Sequence, residues 1–389
     1  MKQRRLSAAV MPDNPDSAAD SDLGRKWRSV VQRRSFLQGM GIVGGAVLPG
    51  GRLLAQRNKN KLPQGDVAIL RFLAAAELIE SDLWQQYNEL GGVNGGNAAY
   101  KAALENLDED MPQYISDNTD DEVSHAAFLN AYLISRGEQP VDLDVFRTLP
   151  GSQATGALPS GRLTNLMKLN VDTSWYTRYR SPQNPDFGAT FPQAVTIQNQ
   201  PAIPLSDADT PPDQPQPVPP TTAPAARMQA IANTAGFHFA FIEQGGSSLY
   251  PTLALQVTDP EVLRIVLSIG GVEVDHFAVW HDKAGNAVAE PLAGVTDPET
   301  GVTFPDLNSP PFGGESFQTN LIFPEPCRFL SPKLPACSVI RPVSTRNSGA
   351  VAAVQAFAND QLFLGHSQAF FNAILTLAVA ADAAQRGVS

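Results

Sequence analysis

The sequence predicts an all-α fold, and three observations carry that prediction. Apolar and functional side chains recur at spacings of three and four along five stretches of the 389-residue chain, and no stretch alternates convincingly as a strand would. Two of the five stretches contain the spacing Glu-x-x-His: Glu122 with His125, and Glu273 with His276. The hydrophobic share of 43% allows a sizeable core, while 30 Gly and 32 Pro require long irregular connections.

The first helix is expected from Asp66 to Leu90. Leu70, Leu73, Glu77, Glu80, Trp84 and Tyr87 form its stripe, Asp66 is placed to cap it, and Gly91-Gly92 stops it. Residues 97–111 suggest a short helix before Pro112. A second long helix is expected from Thr119 to Arg136, where Thr119 and Glu122 have capping-box spacing and Gly137 follows as a stop. Residues 138–224 lack periodicity. Nine prolines between Pro201 and Ala225 read there as an extended, polyproline-like connection. Helical pattern returns at Ala225 and is expected to end at Tyr250, before Pro251. Asp259-Pro260-Glu261 opens the next helix as a cap followed by proline at the first helical position, and the helix runs to Lys283. Its stripe includes Val262, Val266, Ile269, Glu273, His276 and Trp280. Residues 286–348 are expected to be irregular, and a final long helix fills Gly349 to Ala384 within segment 349–386.

Charge divides the chain. Residues 1–56 hold nine Lys or Arg against four Asp or Glu, a net of +5, so the remainder of a chain of net charge −11 carries −16. An acidic body opposes nucleic-acid binding, which needs a basic surface. In the basic end, Arg33-Arg34-Ser35-Phe36-Leu37-Gln38 precedes the short apolar run Gly39 to Leu48. That run is too short to span a membrane. It resembles a twin-arginine export signal, which implies use of that export machinery and a periplasmic or extracellular mature protein. The only cysteines, Cys327 and Cys337, are candidates for a disulfide in an exported chain.

The chemistry sits on the helix stripes. Residues i and i+3 of a helix share a face, so each Glu-x-x-His pair should point inward together. Each motif follows a helix with its own core-facing glutamate, Glu77 before the first and Glu243 before the second. Four buried carboxylates are costly unless paired or metal-bound. Four carboxylates and two neutral imidazoles balance two divalent cations, and this donor set suits iron ahead of manganese. The expected ligands are Glu77, Glu122, His125, Glu243, Glu273 and His276, with Glu122 and Glu273 bridging.

The strings AILRFLAAAELIESDLW and DDEVSHAAFLNAYL, with Glu243 and the Glu273/His276 pair, make the chain resemble the ferritin-like superfamily. Within it the chain is similar to exported bacterial ferritin-like proteins related to plant desiccation-related proteins. The resemblance covers about 66–137 and 225–285. It implies an up-down-down-up four-helix bundle with a long crossover between the second and third helices, and a fifth C-terminal helix. In related sequences the first glutamate of the Glu77/Glu80 pair is the ligand; helical geometry does not separate the two, and Glu80 is the alternative. The implied activity is redox chemistry on ferrous iron, oxygen or peroxide in a monomer or small oligomer. The other reading is a non-enzymatic envelope stress protein whose metal is structural or absent.

His238 is too far around its helix from Glu243 to be an expected ligand. His281 reads as a helix-end residue and His366 as a packing histidine. Asp121 and Asp275 are candidates to orient ligating imidazoles. Tyr87, Tyr132 and Tyr250 read as core residues with potential redox or hydrogen-bonding roles.

Overall fold

The apolar stripes meet in two helical hairpins. The computed structural model describes residues 61–178, 192–211, 217–285, 292–307, 309–310, 333, 335 and 345–388. The twin-arginine segment, Cys327 and Cys337 lie outside these residues. Helix α1 spans Gln64–Gly91, the short α2 Ala98–Glu105, and α3 Met111–Ser135. After the crossover come α4, Ala223–Ala254, and α5, Pro260–Gly285. Helices α6, Ala350–Asn359, and α7, Gln368–Asp382, follow. Helix α1 packs along α3 and α4 along α5, α2 leans on α4, and α7 lies against α1 and α6. Among the described residues the β-structure is confined to isolated bridges, such as Leu149 with Arg162 and Leu169 with Gln200. The fold is all-α.

Four elements differ from the sequence expectation. Asp66 does not cap α1; its buried carboxylate accepts from Thr258 N at 2.9 Å and Asp259 N at 2.6 Å, tying the α4–α5 turn to the start of α1. Thr119 is not a cap either. It lies inside α3, which starts at Met111 with Pro112 in the first turn, and its hydroxyl donates to Ile115 O at 2.6 Å. At the other end of α3 the stop behaves as expected. Gly137 takes φ +81, with Gly137 N on Ile134 O and Glu138 N on Leu133 O closing the helix end.

Helix α4 continues through Pro251 to Ala254. The proline lacks the N–H that would reach Ser247 O, a loss normally worth about 3 kcal/mol in a helix interior. Burial of Tyr250, Leu253 and Ala254 against the core offsets it. The expected final helix is broken into α6 and α7. Gln361 sits at φ 66, and Ser367 caps α7 by accepting from Phe370 N. The break presents Asp360 to His238 and exposes backbone that the crossover uses: Asn165 N donates to Leu362 O at 2.7 Å and Asn170 N to Asp360 O at 3.0 Å.

The crossover is ordered against the bundle although it lacks periodicity. Leu163, Leu166, Leu169, Trp175, Ile197 and Ile203 join the main core. Asp82 of α1 organises it. One oxygen accepts from Leu163 N and Thr164 N, each at 2.9 Å, and from Thr164 Oγ1 at 2.7 Å, while the other takes Arg147 Nη1 at 2.5 Å. At the start of α4, Arg227 grips Asp209 at 3.2 Å and Asp297 at 2.5 Å, holding the crossover and segment 292–307 together. Among the described residues no helix is long and apolar enough to cross a membrane.

Candidate metal centre

Four helices each bring one part of the site to the middle of the core. Glu77 comes from α1, Glu122 and His125 from α3, Glu243 from α4, and Glu273 and His276 from α5. All six are buried; the carboxylates are no more than 1% exposed and the two imidazole residues 8%. They form two overlapping groups: Glu77, Glu122, His125 and Glu273, and Glu122, Glu243, Glu273 and His276. Within each group one donor atom per residue lies within 4.8 Å of the others. Glu122 and Glu273 belong to both groups, the positions expected of bridging carboxylates.

The interatomic distances follow the same pattern. His125 Nδ1 stands 3.3 Å from Glu77 Oε2, 3.3 Å from Glu122 Oε2 and 3.6 Å from Glu273 Oε1. His276 Nδ1 stands 3.1 Å from Glu122 Oε1 and 3.4 Å from Glu243 Oε2. Several of these buried atoms have no hydrogen-bond partner: Glu77 Oε2, Glu243 Oε2, both oxygens of Glu273 and His276 Nδ1. Buried polar atoms are rarely left so. These five belong to residues of the two donor groups, and cations held by those groups would satisfy them. The residues present therefore fit the divalent metals implied by the sequence.

Glu80 is buried one turn beyond Glu77 and, unlike Glu77, belongs to neither donor group. His238 lies away from the cluster, as expected, with Nδ1 on Tyr87 and Nε2 on Asp360. His281 stands near the end of α5, as expected, but is buried there. It is 1% exposed and stacks on Tyr176 with ring centroids 5.5 Å apart, because the crossover folds over that end of α5. His366 lies in the α6–α7 break rather than in a helix, stacked on Phe370 and bonded through Nε2 to Leu163 O at 2.8 Å.

The supporting contacts are polar and local. His276 Nε2 pairs with Asp121 Oδ2 at 3.1 Å, across from α3, while Asp275 is exposed. Tyr250 donates to Glu77 Oε1, linking α4 to α1. Asn118 was not expected from the sequence. Its amide donates to Glu122 Oε1 and Glu243 Oε1, each at 3.0 Å, and its oxygen accepts from Trp280 Nε1 at 2.7 Å. The available signal was position: Asn118 precedes Glu122 by one turn on the same face. Gly246 clears space on α4, since a Cβ there would run into the Glu273 carboxylate.

Electrostatics describe a site compensated by protons in the absence of cations. Burial pushes Glu77 up to about 7 against the pull of His125. Burial, reinforced by Glu122, Glu77 and Glu243, carries Glu273 well above the usual carboxylate range, and burial also raises Glu243. Glu80 is raised by burial and by Glu273, Glu122, Glu77 and Glu243. Burial would raise Glu122 too, but its contacts with His125 and His276 hold it below the usual range. Burial opposes charge on His125, yet Glu77 and Glu122 outweigh it and bring the imidazole up to about 11. Glu243, Asp121 and Glu122 do the same for His276. Divalent cations would displace these protons.

Comparison with known proteins agrees with the geometry. Neither the curated proteins nor the solved structures yield a match. The family model for the ferritin-like domain matches residues 65–286, more than half of the chain and the whole span from α1 to α5. The chain therefore belongs to the ferritin-like domain family.

Proposed function

We propose that this chain is an exported protein that holds a dinuclear metal centre, iron in preference to manganese, and uses it for redox chemistry on ferrous iron, oxygen or peroxide. The observation that carries the reading is the pair of donor groups sharing Glu122 and Glu273, with five unsatisfied buried atoms between them. Glu77 and His125 would complete one ion's ligands, and Glu243 and His276 the other's. The donor set of carboxylate oxygen and imidazole nitrogen suits iron or manganese. Such ions, when bound, supply electron transfer and Lewis-acid activation of oxygen or peroxide.

The chain's own residues prepare the site. Asp121 accepts a hydrogen bond from Nε2–H of His276 and so turns Nδ1 toward the carboxylates. Asn118, itself oriented by the Trp280 indole, fixes one oxygen of Glu122 and one of Glu243, while the second Glu122 oxygen meets His125 Nδ1 at 3.3 Å. Tyr250 likewise fixes one oxygen of Glu77. Glu80, whose carboxyl burial and its acidic neighbours push well above the usual carboxylate range, lies one turn from Glu77. The basic end of the chain, with Arg33 and Arg34, supports export by the twin-arginine route.

The test is anaerobic titration of metal-free protein with ferrous iron, followed by oxygen or peroxide. The reading expects saturation near two ions per chain and oxidation faster than in buffer. Absence of saturable binding, or oxidation no faster than in buffer, would overturn it. Disproportionation of peroxide by the manganese-loaded protein would separate a catalase-like activity from a ferroxidase.

A further inference from the structure

A second set of titratable side chains is buried beside the metal site and is not used by it. Tyr87 and His238 are fully buried and Asp360 is 1% exposed. The Tyr87 hydroxyl lies 2.7 Å from His238 Nδ1, and His238 Nε2 lies 3.0 Å from Asp360 Oδ2. Burial raises Asp360 to about 6, against His238, so at neutral pH its carboxylate only accepts. His238 Nε2 therefore carries the hydrogen, and Nδ1 is the base that accepts from Tyr87. The last helix is interrupted to deliver Asp360, with Gln361 at φ 66 beside it. A packing histidine needs no such arrangement.

The three residues sit between the metal site and a cavity. The Tyr87 ring touches Phe239 edge-on at 4.6 Å between centroids and Trp84 at 5.8 Å. Trp84 stacks on Trp280 at 5.3 Å, and the Trp280 indole donates to Asn118, which holds Glu122 and Glu243. At the other end, Asp360 lines a cavity of about 300 Å³ together with Asn170, Asp172, Gln193 and Phe241. Buried ring contact thus runs from Trp280 through Trp84, Tyr87 and His238 to Phe241 in the cavity wall, and the Asn118 amide links Trp280 to the carboxylate cluster.

Proton acceptors differ along this path. Trp84 Nε1 is buried with no hydrogen-bond partner, and Trp280 Nε1 faces only a neutral amide oxygen. An oxidised indole at either position has no base to take its proton. Tyr87 alone faces an imidazole base, backed by a carboxylate. We propose that Trp280, Trp84 and Tyr87 form an electron relay from the metal site to the Asp360 cavity, with Tyr87 its oxidisable end and His238 the acceptor of the tyrosine proton.

The steps balance. Trp84, through Trp280, would return one electron to a metal centre held by these carboxylates and imidazoles and oxidised by oxygen or peroxide. Tyr87 refills Trp84, and its phenolic proton moves to His238 Nδ1, leaving a neutral tyrosyl radical and an imidazolium beside the Asp360 carboxylate. A small hydroquinone in the cavity returns the electron and releases one proton to solvent as it becomes a semiquinone, and the proton on His238 goes back to Tyr87. The inference rests on the dinuclear reading only for the source of the oxidising equivalent.

The test uses the metal-free full chain, so the two readings fail separately. A ruthenium polypyridyl photo-oxidant with persulfate as electron acceptor is flashed, and freeze-quenched samples are read by electron paramagnetic resonance. The difference between wild type and Tyr87→Phe should be a tyrosyl signal. His238→Gln should reduce that signal at least about tenfold, and Trp84→Phe should slow its appearance, while circular dichroism shows unchanged helix content in all three. Spectra identical in wild type and Tyr87→Phe, or a full signal in His238→Gln, would overturn the relay. The difference signal in a chain that loads no metal would keep the relay and refute the dinuclear reading instead.

Discussion

The sharpest consequence of the site's electrostatics is a stability profile that metal reverses. Glu77 titrates at an ordinary 4.5 when unfolded and at about 7 when folded, chiefly because burial disfavours its charge. The folded state holds the extra proton. This contribution to stability is therefore fully present below about pH 4.5 and is lost as pH rises through about 7. At ~1.4 kcal/mol per pH unit, the loss from this one residue is about 3 kcal/mol. His125 acts in the same direction over a later window, from about 6.5 up to about 11. Glu122 opposes them, but only as pH falls below the usual carboxylate range. Urea unfolding followed by circular dichroism, with chelator present, should show the wild type losing about 2.5 kcal/mol more than Glu77→Gln between about pH 5 and about pH 8. Adding ferrous or manganous ion at ~100 times its dissociation constant should restore about 2.7 kcal/mol at the higher pH and much less at the lower, where protons compete. Equal pH profiles for wild type and Glu77→Gln, or equal stabilisation by metal at both pH values, would refute the reasoning.

Three further outcomes are expected. Asn118→Ala removes the amide shared by Glu122 and Glu243, and competition with a chromophoric chelator should show about 10- to 100-fold weaker metal binding. Gly246→Ala drives a methyl into the Glu273 carboxylate; helix content should stay constant while at least one metal equivalent is lost. Asp82→Ala leaves Arg147, Leu163 N and Thr164 N without their shared acceptor. It should cost about 3 to 5 kcal/mol in urea unfolding and speed proteolysis within 147–165.

Much of the site was legible in the sequence because helical spacing converts directly into a shared face. Glu122 with His125 and Glu273 with His276 needed only the three-residue interval. Glu77 and Glu243 needed only their place on stripes whose neighbours, Trp84 and Tyr250, are also buried. What escaped depends on partners distant in the chain. Asp66 looks like a cap locally but serves Thr258 and Asp259. The run from Gly349 to Ala384 looks like one helix, and its break answers to His238, 122 residues away. The crossover shows no periodicity because its order comes from partners on other elements, among them the Asp82 carboxylate, Arg227 and the backbone of the α6–α7 break. Choosing Glu77 over Glu80 required knowing which turn of α1 faces α3 and α5, which helical spacing alone leaves open.

The central claim is that six side chains hold two metal ions. Its most direct test is elemental analysis of the purified full chain, beside the double variant Glu122→Ala with Glu273→Ala, which removes both carboxylates common to the two donor groups. About two iron or manganese ions per wild-type chain, and essentially none in the folded double variant, is the predicted result. Wild-type protein that folds without metal and gains no stability from either ion, or a double variant that retains two ions, would contradict it.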